Sequence, residues 1–162
     1  GDVARFAQYG VTASVQPIHA TQDMAKVDRA WGPRGAYAYA FASLRSLGVN
    51  LAFGSDTPVE TMDPIAGIHA AVTRRNAAGE PPGGWYPGQR LPVEAAIAAY
   101  TAGAATAVRE HDAFGRIAAG CHADVVLLSE NILERTDPMR ILDARVDATV
   151  VGGEVVYRRH PS

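Results

Sequence analysis

Apolar residues along the chain follow two kinds of spacing, short β-branched runs and helical repeats. The runs at 11–15 and 49–53 predict buried strands. Helices and strands that alternate along a chain are typical of parallel α/β units. Around these strands, helical spacing predicts helices over 2–9, 21–30, 36–47, 64–78 and 92–108.

Turn-forming residues refine two of these segments. Asp63 and Pro64 are an N-cap residue and a first-turn proline, so the helix over 64–78 has a defined start. The range 79–90 is rich in Gly and Pro and predicts an exposed loop. Its Trp85 and Tyr86 have two open interpretations, a lid that closes over a site or aromatic residues exposed to solvent.

The pattern changes after residue 111. Short apolar runs at 115–117, 123–128, 148–151 and 154–157 predict strands of a small β structure. Gly152 and Gly153 separate the last two runs. Two glycines between β-branched runs predict a tight hairpin, because the favoured two-residue turns need positive φ.

Composition narrows the class of protein. The chain has 162 residues, 48% of them hydrophobic, which is enough to bury a core. Its formal net charge is −2 and its Lys and Arg residues are scattered, so we expect a small-molecule partner and neither nucleic acid nor a membrane surface. The single cysteine, Cys121, excludes an internal disulfide and favours a reducing, cytoplasmic location.

Asp56 is the strongest candidate for chemistry. It lies in the segment 54–60, directly after the apolar run at 49–53. Catalytic groups of α/β sheets and barrels lie where strands end. A carboxylate there can bind a divalent metal and accept a proton from the water that the metal activates. The alternative is that Asp56 caps the following turn, and spacing alone leaves both interpretations open.

Several separated motifs resemble one family, in the same order along the chain. They are ASVQPIH at 13–19, LAFGSDTPVE at 51–60, AVTR at 71–74, ADVVL at 123–127 and VVGGEVVY at 150–157. In these residues the chain resembles the YtcJ-like branch of the metal-dependent amidohydrolases, which includes N-substituted formamide deformylase.

The resemblance implies a fold and a site. The implied fold class is α/β: the C-terminal part of a (β/α)8, TIM-type barrel in 1–112, and part of a small composite β domain in 113–162. By position, Asp56 matches the eighth-strand aspartate, a catalytic residue and metal ligand. His19 matches the seventh-strand motif that faces the substrate, and Gln16 beside it could bind a substrate carbonyl or brace the loop. The implied cofactor is zinc or a similar divalent ion, whose other ligands would lie before Gly1.

The implied activity is hydrolysis of carbon–nitrogen bonds in amides, formamides or related groups. Because Asp56 is the one residue that matches a metal ligand, the chain alone is expected to be inactive. The alternative from another class is a non-catalytic, truncated module, and a cyclic-amide hydrolase or deaminase is a third hypothesis. Two barrel strands leave open edges, so we expect oligomers or dependence on a missing half.

Other polar residues have ordinary interpretations. Arg74 and Arg75 could reach an anionic group of a substrate, although an exposed helical arginine is the commoner case. His69 is expected in a half-buried packing role or at the surface. Cys121 and His122 are expected to be turn residues, because they lack the spacing of a structural zinc site.

Overall fold

The computed structural model describes residues 2–134 and 136–160. Its α-helices are α1 (Val3–Gln8), α2 (Pro17–Gln22), α3 (Met24–Trp31), α4 (Phe41–Ser46), α5 (Pro64–Thr73), α6 (Val93–Tyr100) and α7 (Ala102–Ala107). Its strands are β1 (Ala13–Val15), β2 (Leu51–Phe53), β3 (Val125–Leu128), β4 (Val146–Val151) and β5 (Glu154–Arg158). Short 3₁₀ helices cover Gly32–Tyr37, Pro87–Gln89, Ile132–Glu134 and Pro138–Asp143.

The strands form a parallel pair and an antiparallel sheet over these residues. β1 pairs with β2 in parallel, with Ala13 opposite Leu51 and Val15 opposite Phe53. β3, β4 and β5 form an antiparallel sheet in that order. The predicted α/β class is therefore confirmed.

The core lies around β2, whose three residues are all buried. A parallel strand covered on both faces needs apolar residues in succession, which explains the uninterrupted run Leu51, Ala52 and Phe53. The helices α4, α5 and α6 supply much of the cover, through buried residues such as Phe41, Ile68 and Ala96.

The range 92–108 is two helices and not one. α6 and α7 are divided at Thr101, whose φ is −114° and ψ is −94°. Gly103 then approaches β2 so closely that a Cβ atom there would overlap the Leu51 carbonyl oxygen. The prediction of one long helix was wrong, because helical spacing does not register this contact with the strand.

α5 begins as predicted and ends earlier. The Asp63 side chain accepts a hydrogen bond from the Ile65 N–H at 2.9 Å, and Pro64 lies in the first turn. The predicted end at 78 was wrong, because Arg74 is left-handed (φ 56°) and the helix ends at Thr73. The Arg74 side chain is drawn into the core, so the chain turns there.

The two helices predicted between β1 and β2 have different bounds in the structure. The range 21–30 is divided between α2 and α3, and α2 starts earlier because Pro17 at its first position favours helix initiation. The range 36–47 is helical only in part. Tyr39 has φ 52°, which interrupts the helix, so a 3₁₀ segment precedes it and α4 starts at Phe41.

The range 79–90 is not an exposed loop throughout. Trp85 is 6% exposed, and its indole N–H donates to the Asp28 carboxylate on α3 at 3.0 Å. The Tyr86 hydroxyl donates to the same carboxylate at 3.2 Å. The prediction failed because the partners of these aromatic residues lie far away in sequence.

The tail follows its pattern except at 115–117, where Gly115 and Arg116 lie in a bend in place of the predicted strand. Gly115 lies so close to the backbone of Thr101 and Ala102 that a Cβ atom there would overlap it, and its φ of 84° is not that of a strand. The predicted hairpin is confirmed, with Gly152 at φ 59° and Gly153 at φ 87°. Across the described ranges, no helix has the length and apolar character needed to cross a bilayer.

His69 on α5 is more buried than expected, at 3% exposure. Its Nε2 lies 3.3 Å from Met139 Sδ, and the Thr73 hydroxyl donates to its backbone oxygen at 2.8 Å. Burial, and to a lesser degree the charge of Arg75, lowers its pKa from 6.5 to about 4. The folded protein therefore keeps His69 neutral, whereas in the unfolded chain the same imidazole takes up a proton near pH 6.5.

We expect this histidine to make the protein acid-sensitive. Neutral His69 contributes at most about 3 kcal/mol to the free energy of unfolding. This contribution is complete above pH 6.5 and is lost as the pH falls to about 4. Urea unfolding at pH 7 and pH 4.5 should show a smaller pH effect on the free energy of unfolding in His69→Gln than in the wild type. Equal pH effects in the two proteins would contradict the assignment.

Candidate functional site

The candidate site lies where β1 and β2 end. Because the two strands are parallel and in register, their carboxyl ends meet at one edge. His19 follows β1 in the first turns of α2, and Asp56 follows β2 in the segment 54–60. Polar side chains at this edge are the usual position for chemistry in α/β folds.

The two residues are in direct contact. His19 Nε2 lies 3.2 Å from Asp56 Oδ2. Since a carboxylate only accepts hydrogen bonds, the imidazole donates from Nε2. The His19 side chain is 19% exposed and the Asp56 side chain 54% exposed, so the pair opens toward solvent on the Asp56 side.

The backbone presents the Asp56 carboxylate to His19. Asp56 has φ 62°, a left-handed conformation that aspartate tolerates better than most residues. The turn after it is closed by other groups: the Val59 N–H donates to the Asp56 carbonyl at 2.8 Å, and the Thr57 N–H donates to Ser55 Oγ at 3.3 Å. The carboxylate is therefore directed to His19 and not to the turn.

The segment before Asp56 is anchored from both sides. The Gly54 N–H donates to the Val15 carbonyl at 3.2 Å, and the Tyr100 hydroxyl lies 3.5 Å from the Gly54 carbonyl. The Tyr100 ring contacts Phe53 edge-on, with centroids 5.4 Å apart. Burial, followed by the charge of Asp63, raises the pKa of Tyr100 to about 12, so its hydroxyl stays protonated and can donate.

Gln16 lies at the N-cap of α2, between β1 and His19. Its side chain is half-buried and makes no capping hydrogen bond to the helix. The backbone carbonyl of Gln16 accepts the His19 N–H at 3.2 Å. The assignment of Gln16 to substrate binding stays a prediction.

Asp23 belongs to the surroundings of His19 and was not among the residues predicted from the sequence. It lies one helical turn after His19 and accepts hydrogen bonds from the Tyr39 hydroxyl at 2.5 Å and from Lys26 Nζ at 3.0 Å. These bonds lower the pKa of Asp23, that from Tyr39 most. The i, i+4 spacing of His19 and Asp23 could have indicated that the two residues share one helix face.

Arg74 does not have the surface position expected of it. It is 1% exposed and donates from Nε to the Trp85 carbonyl at 3.0 Å and from Nη1 to the Tyr39 carbonyl at 3.1 Å. Its guanidinium lies 4.9 Å from the Trp85 ring centroid and 5.4 Å from that of Phe41. Burial lowers its pKa to about 10, so it is still charged at neutral pH. Arg74 is part of the core and is not placed to bind an anionic substrate.

A metal ion would need more donors than this edge supplies. In residues 2–134 and 136–160, no group of three or more His, Cys, Asp and Glu side chains is arranged to hold one. Asp56 is of a donor type that zinc takes, and a zinc site uses three or four protein ligands. Asp56 therefore fits as one ligand of such a site, while His19 Nε2 is engaged with its carboxylate.

The other candidates have local partners. Cys121 Sγ lies 3.4 Å from the Asp112 carbonyl, and the His122 ring stacks on Phe114 with centroids 4.4 Å apart. The Asp124 carboxylate accepts the Gly152 N–H of the hairpin at 2.7 Å. These are structural contacts, as expected for Cys121 and His122.

Comparisons with known proteins agree with one another. The sequence profile described as "Amidohydrolase family" matches residues 1–157. "Putative amidohydrolase YtcJ" of Bacillus subtilis (strain 168) is 32% identical over 158 residues, which cover 97% of this chain and 30% of that protein.

Solved structures of hydrolases also align with this chain. A metal-dependent hydrolase from Pyrococcus furiosus aligns with a TM-score of 0.62 and 30% identity, over 75% of this chain and 24% of that one. An amidohydrolase from Thermotoga maritima MSB8 aligns with a TM-score of 0.66 and 18% identity, over 97% of this chain and 34% of that one, which shows a likeness of fold alone. The chain thus spans about a third or less of the length of these relatives.

Proposed function

This chain belongs to the amidohydrolase family, and from this premise we propose that it forms part of the active site of a metal-dependent hydrolase. The proposed substrates are amides or formamide-like compounds, and the bond cleaved is carbon–nitrogen. The observation that carries the proposal is the contact of 3.2 Å between His19 and Asp56 at the carboxyl edge of β1 and β2.

In this proposal the chain is part of a longer protein, whose fold is a (β/α)8 barrel with a small composite β domain. In this proposal β1 and β2 are the seventh and eighth barrel strands, residues 1–112 complete the barrel, and residues 113–162 form part of the β domain. The parallel pairing of β1 and β2 and the helix after each of them support it, since barrel strands alternate with helices in this way.

In the proposed mechanism Asp56 is both metal ligand and proton carrier. A bound divalent ion, zinc in our proposal, would polarise the carbonyl of the substrate and activate the attacking water. Oδ2 of Asp56 accepts the hydrogen bond from His19, and the Asp56 carboxylate would be one ligand of the ion. Asp56 then accepts the proton of the attacking water and returns it to the leaving nitrogen.

His19 and Gln16 are proposed to act on the substrate side of this edge. The His19 N–H holds the Asp56 carboxylate in one orientation and lies beside the place where a substrate would bind. The half-buried Gln16 amide, which caps no helix, is available to hydrogen-bond a substrate carbonyl.

A non-catalytic module is the second candidate, and the incomplete donor set favours it as a property of these residues by themselves. The apolar residues exposed on the antiparallel sheet, among them Val126, Val155 and Val156, also support association with another polypeptide or a second copy. A cytoplasmic location is proposed together with the enzyme.

The test compares two proteins, the chain alone and the chain joined to the coding sequence that precedes it. With added zinc, we expect the longer protein to hydrolyse N-substituted formamides or related amides, and a chelator to abolish this activity. The 162-residue chain is expected to show none. Turnover by that chain alone, or none by the longer protein on any amide, would contradict the proposal.

A further inference from the structure

Asp56 contacts the His19 imidazole, and Asp23 is a second carboxylate one helical turn further along the chain. Asp56 Oδ2 is 3.2 Å from His19 Nε2. Asp23 lies at the i+4 position from His19, one turn along the same helix face, and its charge interacts with that of the imidazole. A neutral imidazole has one N–H to donate, so a hydrogen bond from His19 to Asp23 would replace the one that His19 now makes to Asp56.

Asp23 is already occupied by other donors. The Tyr39 hydroxyl donates to Oδ2 at 2.5 Å and Lys26 Nζ donates to Oδ1 at 3.0 Å. The Lys26 side chain is exposed, so its bond is the weaker restraint. Among the described residues, the Asp56 carboxylate has His19 as its hydrogen-bond partner. The imidazole thus pairs with Asp56, while Asp23 accepts from two donors of its own.

Tyr39 is held in place at its backbone and at its ring. Its backbone is left-handed (φ 52°), a conformation that costs a bulky residue free energy and persists only where the surroundings hold it. The buried Arg74 binds its carbonyl at 3.1 Å. Its ring packs against Phe41 and Trp85, with centroids 6.2 Å away in each case. The hydroxyl is thus a fixed point to which Asp23 is tied.

We propose that Tyr39 is a positioning residue of the site: its hydroxyl retains Asp23 and so leaves His19 to Asp56. The effect on catalysis rests on the proposed function, whereas the side-chain arrangement does not. Outer contacts that hold a metal-binding carboxylate typically contribute about 10- to 100-fold in activity or metal affinity. Tyr39 therefore acts on Asp56 through two other side chains.

Three variants test this. Tyr39→Phe removes the hydroxyl and frees Asp23 to reach His19. Tyr39→Phe combined with Asp23→Ala removes the competitor as well, so His19 should return to Asp56. Tyr86→Phe is the matched control, because it removes a hydroxyl that donates to Asp28, a carboxylate on α3, at 3.2 Å.

The first readout needs no activity. Three-bond couplings measured by NMR in histidine-labelled protein report the χ1 rotamer of His19. We expect one rotamer in the wild type and in Tyr86→Phe, averaged couplings in Tyr39→Phe, and the wild-type value again in the double variant. Wild-type couplings in Tyr39→Phe, or failure of the double variant to restore them, would overturn the inference, because a general packing defect is not repaired by deleting Asp23.

The second readout is the rate of the metal-loaded longer protein. Tyr39→Phe should lower kcat by about 10- to 100-fold with little change in KM, and the double variant should recover most of the loss. Unchanged kcat in Tyr39→Phe would overturn the catalytic part of the inference. No turnover by the wild type would count against the proposed function instead, and the couplings would then decide the role of Tyr39.

Discussion

Replacing Asp56 by asparagine is expected to lower kcat of the metal-loaded longer protein by about 10³- to 10⁴-fold, because the amide cannot accept the proton of the attacking water. Asparagine has nearly the same shape and can still accept the hydrogen bond that His19 donates at 3.2 Å. The fold around the site should therefore persist. The measurement is kcat and KM at saturating zinc, with unfolding curves of both proteins.

Asp63→Asn is the matched control for this change. The Asp63 side chain caps α5 by accepting the Ile65 N–H at 2.9 Å, and asparagine caps helices about as well as aspartate. Its kcat should stay within about twofold of the wild type, since it loses no proton acceptor at the proposed site. Near-normal rates in Asp56→Asn would contradict the role assigned to Asp56.

Replacing Arg74 by alanine should have the largest effect on stability, a loss of about 3–5 kcal/mol in the free energy of unfolding. The substitution leaves the carbonyls of Tyr39 and Trp85 without the donors that now lie at 3.1 and 3.0 Å. It also leaves a cavity between the rings of Phe41 and Trp85. Urea unfolding at neutral pH measures the loss.

Arg109→Ala is the control for Arg74→Ala. Arg109 is also a left-handed arginine that follows a helix (φ 64°), but it is exposed. The same change of residue and backbone preference should therefore cost less than about 1 kcal/mol there. Equal losses in the two variants would show that the buried contacts of Arg74 contribute nothing.

The parts of the fold that depend on local sequence could be predicted. The apolar run at β2, the Asp63–Pro64 start of α5 and the Gly152–Gly153 hairpin follow from residue preferences within a few positions. Asp56 and His19 were found as candidates because each follows a strand in a recognisable motif.

The parts that depend on distant partners could not be predicted. α5 ends where Arg74 turns inward to carbonyls of Tyr39 and Trp85, and nothing in the sequence around Arg74 indicates those partners. The division between α6 and α7 depends on a close approach of Gly103 to β2. The bond between Tyr39 and Asp23 joins a left-handed residue to a helix end, and sequence spacing gives no sign of it.

In our proposal Asp56 holds a divalent ion together with donors outside these 162 residues. Two purified proteins should be compared by elemental analysis: the chain alone, and the chain joined to the segment encoded before it, each dialysed after exposure to zinc. We expect stoichiometric zinc in the longer protein, a much reduced content in its Asp56→Asn variant, and none in the chain alone. Stoichiometric zinc in the chain alone, or full zinc retention by the Asp56→Asn variant, would contradict it.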